Sequence, residues 1–96
     1  MLIIPDPLMF QWDGGNREKN HLKYKVTNLE AEEIFANEPI IIIEDPPHSV
    51  SEKRHMAWGR TNSNRKLTVI FTIRNQMVRV ISARDMNKKE RKFYEK

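Results

Sequence analysis

Leu67, Val69, Phe71 and Ile73 occupy alternate positions, with Thr68 and Thr72 between them. A period of two in a run rich in β-branched and aromatic residues is a strand that buries one side. Turn-forming residues bound it: Asn62-Ser63-Asn64 before and Arg74-Asn75-Gln76 after. Connections this short cannot cross over a sheet, so the flanking strands, about Arg54 to Gly59 and Met77 to Ser82, must run antiparallel to it. Ile40 to Ile43 is β-branched throughout and stops at Glu44-Asp45-Pro46-Pro47, which adds a fourth strand. The pattern therefore predicts a four-stranded antiparallel meander, covered on one face and open to a site on the other.

Helices surround this meander. Asp13 is placed to cap a helix running to about Tyr24, with Gly14-Gly15 weakening its first turn. Thr27 and Glu30 have the spacing of a capping box and open a second helix through Asn37, with Leu29, Ile34 and Phe35 as its apolar stripe. Asn87 and Glu90 repeat that signature and open a last helix to about Tyr94. Phe10-Gln11-Trp12 reads as a short strand or anchoring segment. Pro5 and Pro7 make residues 1–9 an irregular extension, with Met9 as an alternative start. Residues 10–96 form one domain of the α+β class: two N-terminal helices, the meander and a C-terminal helix.

The chain contains no cysteine, which removes disulfides, thiolate metal sites and cysteine nucleophiles. No apolar run approaches the roughly 20 residues of a membrane span, and Met1-Leu2-Ile3-Ile4 lacks the charged flank of a signal peptide. The expectation is a soluble cytoplasmic protein. Its net charge of +4 conceals a division: residues 1–52 carry four Lys/Arg against ten Asp/Glu, and residues 53–96 carry thirteen against three. Clustered Lys/Arg on a small domain are the footprint of a polyanion binder, with RNA, DNA or an acidic protein as partner. The bland alternative is that the two halves neutralise each other across a folded interface.

Arg79 and Arg84 are the sharpest candidates. If Val78 and Val80 face the core, Arg79 stands on the open face, and Arg84 lies just past the strand. A fixed guanidinium can clamp a phosphate through two parallel hydrogen bonds; either arginine can equally pair with an acidic neighbour such as Glu90. His48, in a polar loop with Glu52 four residues on, suits a general acid or base, or else stabilises the turn after Pro46-Pro47. His21 and His55 are weaker candidates, and His48, Glu52 and His55 fit no regular metal-ligand spacing. Tyr94 shares a helical face with Glu90 and Arg91, where its phenol can stack on a base, hold a phosphate, or simply pack against the sheet edge. Trp58, Phe71 and Phe93 read as core, and the parity of Met56 and Trp58 then puts Arg54 and Arg60 nominally on the core side.

Several pieces together resemble a known family. These are Phe10-x-Trp12-Asp13, Asn20 with Lys23 and Val26, Glu33 with Phe35, His48-Ser49, Glu52-x-Arg54 and Gly59-Arg60, then Thr72-x-Arg74, Arg79 through Arg84, Glu90-Arg91 and Tyr94-Glu95. In order and spacing, from about Phe10 to Glu95, they resemble BrnT, the ribonuclease toxin of BrnT/BrnA toxin-antitoxin systems, whose fold is similar to RelE and ParE toxins. The chain departs from that pattern at Lys23-Tyr24-Lys25-Val26, where the family usually reads Lys-His-Gly-Val, and at Gly14, where a proline is common. The resemblance implies an endoribonuclease that needs no metal or other cofactor. His48 or Glu52 would be the base, Arg79 and Arg84 the phosphate clamps, and Tyr94 an assistant. Arg54, Arg60, Arg74, Lys88, Arg91 and Lys92 would track the RNA backbone. It also implies a BrnA-like antitoxin, in a heterotetramer that reaches operator DNA only through the antitoxin. Two other activities suit the same basic sheet: a non-catalytic module binding nucleic acid or an acidic protein, and a ParE-like gyrase inhibitor.

Overall fold

The computed structural model describes residues 8–12, 25–44 and 53–96. The helix predicted from Asp13 to Tyr24 and the loop carrying His48 and Glu52 lie outside the described residues. In chain order the elements are β1 (Phe10–Gln11), α1 (Asn28–Glu33), β2 (Ile41–Glu44), β3 (His55–Arg60), β4 (Lys66–Arg74), β5 (Met77–Asp85) and α2 (Lys88–Tyr94). No helix among the described residues is long and apolar enough to cross a membrane.

The predicted meander is present as β2 to β5, each antiparallel to the next. The sheet is nevertheless mixed and five-stranded, ordered β1-β5-β4-β3-β2, because β1 pairs in parallel with β5. The short strand is one of the two readings given to Phe10-Gln11-Trp12; its parallel partner, some 68 positions away with Phe10 opposite Val78, is not encoded locally. What holds it is long-range. Val78 N–H donates to the Met9 carbonyl at 2.8 Å, and Phe10 meets Phe35 edge-on at 5.5 Å, which meets Phe71 at 5.2 Å. Leu8 also packs against the core, so the end of the predicted extension belongs to the fold.

Among the described residues there are two helices, and both capping boxes form as the sequence predicts. The helix at Thr27 is shorter than predicted. It ends at Glu33, and Phe35 and Ala36 donate instead to carbonyls three residues back, which tightens the chain into turns. Its predicted stripe is only partly right: Ile34 is fully buried and Phe35 packs on the core, but Leu29 is 65% exposed, and Val26 and Ala31 fill the interior instead.

One sheet face forms the core, where Ala57, Leu67, Val69, Phe71, Val78, Val80 and Ala83 pack with Val26, Ala31 and Ile34. Gly59 permits the closest approach: a Cβ there would lie 2.9 Å from the Ile34 Cβ. The core side of β3 is therefore His55, Ala57 and Gly59. Met56, Trp58, Arg54 and Arg60 belong to the opposite face, the reverse of the side expected from the parity of Met56 and Trp58. Phe93 is also no core residue; it is 56% exposed and covers Trp58 edge-on at 5.3 Å.

Candidate nucleic-acid interface

The face opposite the core is built in rows across the strands. Residues directly opposite each other in an antiparallel ladder share a face. One row is Ile41, Trp58, Thr68 and Arg84; the next is Ile43, Met56, Ile70 and Ser82; the third holds Thr72 and Arg79. Buried Thr72 donates its hydroxyl to the Lys53 carbonyl at 2.9 Å, which draws the 53–54 segment alongside β4 and extends the third row to Arg54. Neighbouring strands are about 4.8 Å apart, so the backbones of Arg54 and Arg79 flank Thr72 at roughly 10 Å from each other. Arg74, exposed at the β4–β5 hairpin opposite Met77, adds a third guanidinium at that end.

A β-bulge makes this arrangement possible. Phe71 pairs with Val80 and Ile70 with Ser82, so Ile81 is an extra residue in β5. Five positions apart, Arg79 and Arg84 would point to opposite faces of a regular strand; the bulge brings both to the face opposite the core while Val80 and Ala83 stay in the core. The strand also runs on to Asp85, so Arg84 sits within it rather than just past it. Thr68 and Thr72 are four residues apart, which sets the two arginine-bearing rows about 13 Å from each other.

At the Arg84 end the face is covered by α2. Arg84 grips Glu90 with both prongs, Nη1 to Oε1 at 2.7 Å and Nη2 to Oε2 at 3.0 Å, so the fork that would hold a phosphate is engaged internally. Glu90 Oε1 also accepts from Thr68 Oγ1 at 2.9 Å and from the Asn87 backbone N–H at 2.9 Å. Burial acts to raise the Glu90 pKa, but the bonds from Arg84, Asn87 and Thr68 outweigh it and hold the carboxyl down at about 2. Tyr94 is buried, and its hydroxyl donates to the Pro39 carbonyl, fastening α2 to the segment before β2. Burial pushes its phenol above the ordinary value, against the lowering influence of Arg60 and Lys66.

The remaining candidates separate. Arg60 is exposed at the end of β3, its Nε donating to the Glu38 carbonyl at 2.8 Å. Lys88, Arg91 and Lys92 line a groove beside α2 together with Lys66. His55 turns to the core face, 5.4 Å from Phe71, and burial lowers its pKa toward the neutral form. His48 and Glu52 lie outside the described residues. Among the described residues no group of three or more His, Asp or Glu could hold a metal ion.

Sequence reasoning missed Arg65. It donates to both oxygens of Asp85 at 2.7 and 3.0 Å, to Glu30 at 3.2 Å and to the Lys25 carbonyl at 2.8 Å. Those bonds tie the approach to α1 to the end of β5. Its partners are 20 to 40 residues away, and nothing local signals them.

Residues 12–90 match the family model described as the ribonuclease toxin, BrnT, of type II toxin-antitoxin systems. The chain belongs to the BrnT family. No curated protein matches it. The BrnT match contains Arg54, Arg60, Arg74, Arg79 and Arg84 and ends on Glu90, the carboxylate that holds Arg84. It is narrower than the resemblance drawn from the sequence, leaving Phe10, Arg91, Lys92 and Tyr94 outside. BrnT membership implies a ribonuclease toxin of a type II toxin-antitoxin system, with RNA as its substrate and an antitoxin as its partner.

Proposed function

We propose that residues 10–96 are a single toxin domain that cleaves RNA without a metal ion and arrests growth until a BrnA-like antitoxin covers its basic face. The observation that carries this reading is the Arg54–Thr72–Arg79 row, with Arg74 beside it, on a sheet face opposite the core. A phosphodiester placed there meets several guanidiniums, which stabilise the negative charge that builds on phosphorus during displacement. A base takes the proton of the ribose 2′-hydroxyl, the oxygen attacks the adjacent phosphorus, and the bond to the 5′-oxygen breaks. That oxygen leaves with a proton from a general acid, so the products are a cyclic phosphate and a 5′-hydroxyl. His48 and Glu52 are the candidate bases, preceding Lys53 in the chain by five residues and by one. The half-buried Met56 and Ile70 between the arginine rows provide an apolar strip for a base to rest on. Arg84 contributes positive charge while its fork stays on Glu90, and Tyr94 serves by holding α2.

One observation favours a non-cleaving binding module instead: Arg84 and Tyr94, two of the candidate catalytic residues, spend hydrogen bonds inside the fold. The two readings separate on induction of the full chain from a tightly repressed promoter, with and without a BrnA-like antitoxin. Growth arrest with loss of bulk RNA, reversed by the antitoxin and abolished by Arg54→Ala/Arg79→Ala, is the expected result. Arrest with a DNA-damage response and intact RNA would move the reading to a gyrase inhibitor. A folded, harmless protein would move it to a binding module.

A further inference from the structure

Beside α2, away from the Arg79 row, the surface opens into a groove of about 750 Å³. Its acidic side chains already have cations. Glu95 accepts from Lys66 Nζ at 2.9 Å, and Asp85 is held by Arg65. Lys88 and Lys92, in contrast, make no ion pair among the described residues, and Arg91 acts on Asp85 only through its field. The groove thus presents a surplus of positive charge that the fold does not neutralise.

The placement of these lysines is unfavourable for the helix that carries them. Lys88 and Lys89 occupy its first turn, where backbone N–H groups make the helix end positive and favour acids instead. Lys88 and Lys92 are four apart, so like charges face each other, a spacing that destabilises an isolated helix. An anion in the groove meets Lys88 and Lys92, which line it, and relieves the repulsion between them.

Lys66 and Thr72 are six residues apart on β4, about 20 Å of strand, so one phosphate cannot serve both the groove and the arginine row. Resting on the ribonuclease reading above, we infer that the groove is a second subsite for the RNA backbone. A strand of several nucleotides runs from the Arg79 row to Lys88, Arg91 and Lys92, and affinity rises with RNA length.

Fluorescence anisotropy with the full chain tests this, using labelled 2′-O-methyl oligonucleotides of four and twelve residues, which bind but cannot be cleaved. The wild-type protein should prefer the longer RNA, and Lys88→Gln/Lys92→Gln should reduce that preference about tenfold. Two lost phosphate contacts should also lower the slope of log affinity against log salt by about 1.4 for the longer strand. Far-UV circular dichroism establishes that α2 remains folded in the variant. Unchanged preference and slope in a variant of a protein that binds and cleaves RNA would overturn the subsite and leave the ribonuclease reading standing. A wild-type protein that binds neither oligonucleotide would overturn both. Poly-glutamate binding that is lost in the variant, with RNA binding unaffected, would assign the groove to an acidic protein and overturn the RNA subsite.

Discussion

Arg84 and Glu90 are joined by two parallel bonds, at 2.7 and 3.0 Å, across the seam between β5 and α2. The same carboxylate caps α2 through Asn87 and accepts from Thr68, so one side chain fixes the helix start, the sheet and the arginine together. Glu90→Ala leaves three donors without their acceptor in a half-covered seam. The variant should lose about 3 kcal/mol of stability, read as a lower urea midpoint at unchanged slope. A midpoint within error of wild type would show that the seam is held by Tyr94 and Phe93 instead.

Acid should act on the same contact. The Glu90 carboxyl has an ordinary value of 4.5 and is held at about 2 in the fold. A folded-state pKa below the unfolded one means that the unfolded chain binds the proton first. The stability from Glu90 is therefore complete above about pH 5 and lost as pH falls through 4.5 toward 2, amounting to roughly 3 kcal/mol. His55 adds a step of the same sign at higher pH, since burial lowers its pKa from 6.5 and protonation favours unfolding as pH falls below that value. Denaturation midpoints taken from pH 8 to pH 2 should decline in these two steps. Glu90→Gln should shrink the lower step, to which Glu30 and Asp85, both held down by Arg65, also contribute, and leave the upper one in place.

Packing at Gly59 makes a separate prediction. An added methyl group would lie 2.9 Å from the Ile34 Cβ and 3.1 Å from its carbonyl oxygen, neither of which is the end of a flexible chain. Gly59→Ala should cost about 1–3 kcal/mol by pushing the α1 segment off the sheet. An unchanged melting temperature would mean that the segment can shift without loss.

The β4–β5 hairpin has room for improvement. Asn75 and Gln76 have φ of 53° and 60°, the positive pair that a two-residue type I′ turn demands. Asparagine tolerates this conformation, but glutamine carries a Cβ penalty there. Gln76→Gly should raise stability by about 1 kcal/mol without touching Arg74 or Arg79. A decrease would show that the Gln76 side chain makes up for the strain.

What the sequence disclosed and what it hid follow one physical division. Alternation in β4, the turns around it and both capping boxes depend on residues within a few positions of one another, and each is present. The parallel pairing of Phe10 with Val78 and the bonds of Arg65 are set by chain brought together from far away, which local pattern does not encode. The bulge at Ile81 lies between these cases. Val78, Val80 and Ala83 break the period of two, so a change of face was visible in the spacing of small apolar residues. Reading it would have put Arg79 and Arg84 on one face. The basic half of the chain pointed to a polyanion, and of the two readings open for Arg84, a phosphate or an acidic neighbour such as Glu90, the fold realises the second.

Tyr94 distinguishes a catalytic phenol from an anchoring one. It is 7% exposed, and its hydroxyl donates to the Pro39 carbonyl, linking the last turn of α2 to the chain entering β2. Tyr94→Phe keeps the ring and deletes only the donor, leaving a carbonyl that can turn to water. Stability should fall by about 1 kcal/mol. The rate of RNA cleavage by folded protein should stay within twofold of wild type, because the hydroxyl is committed to the fold. A loss of 10²-fold or more at unchanged stability, the size expected for removal of a general acid or base, would return Tyr94 to the reacting centre and require α2 to move when RNA binds.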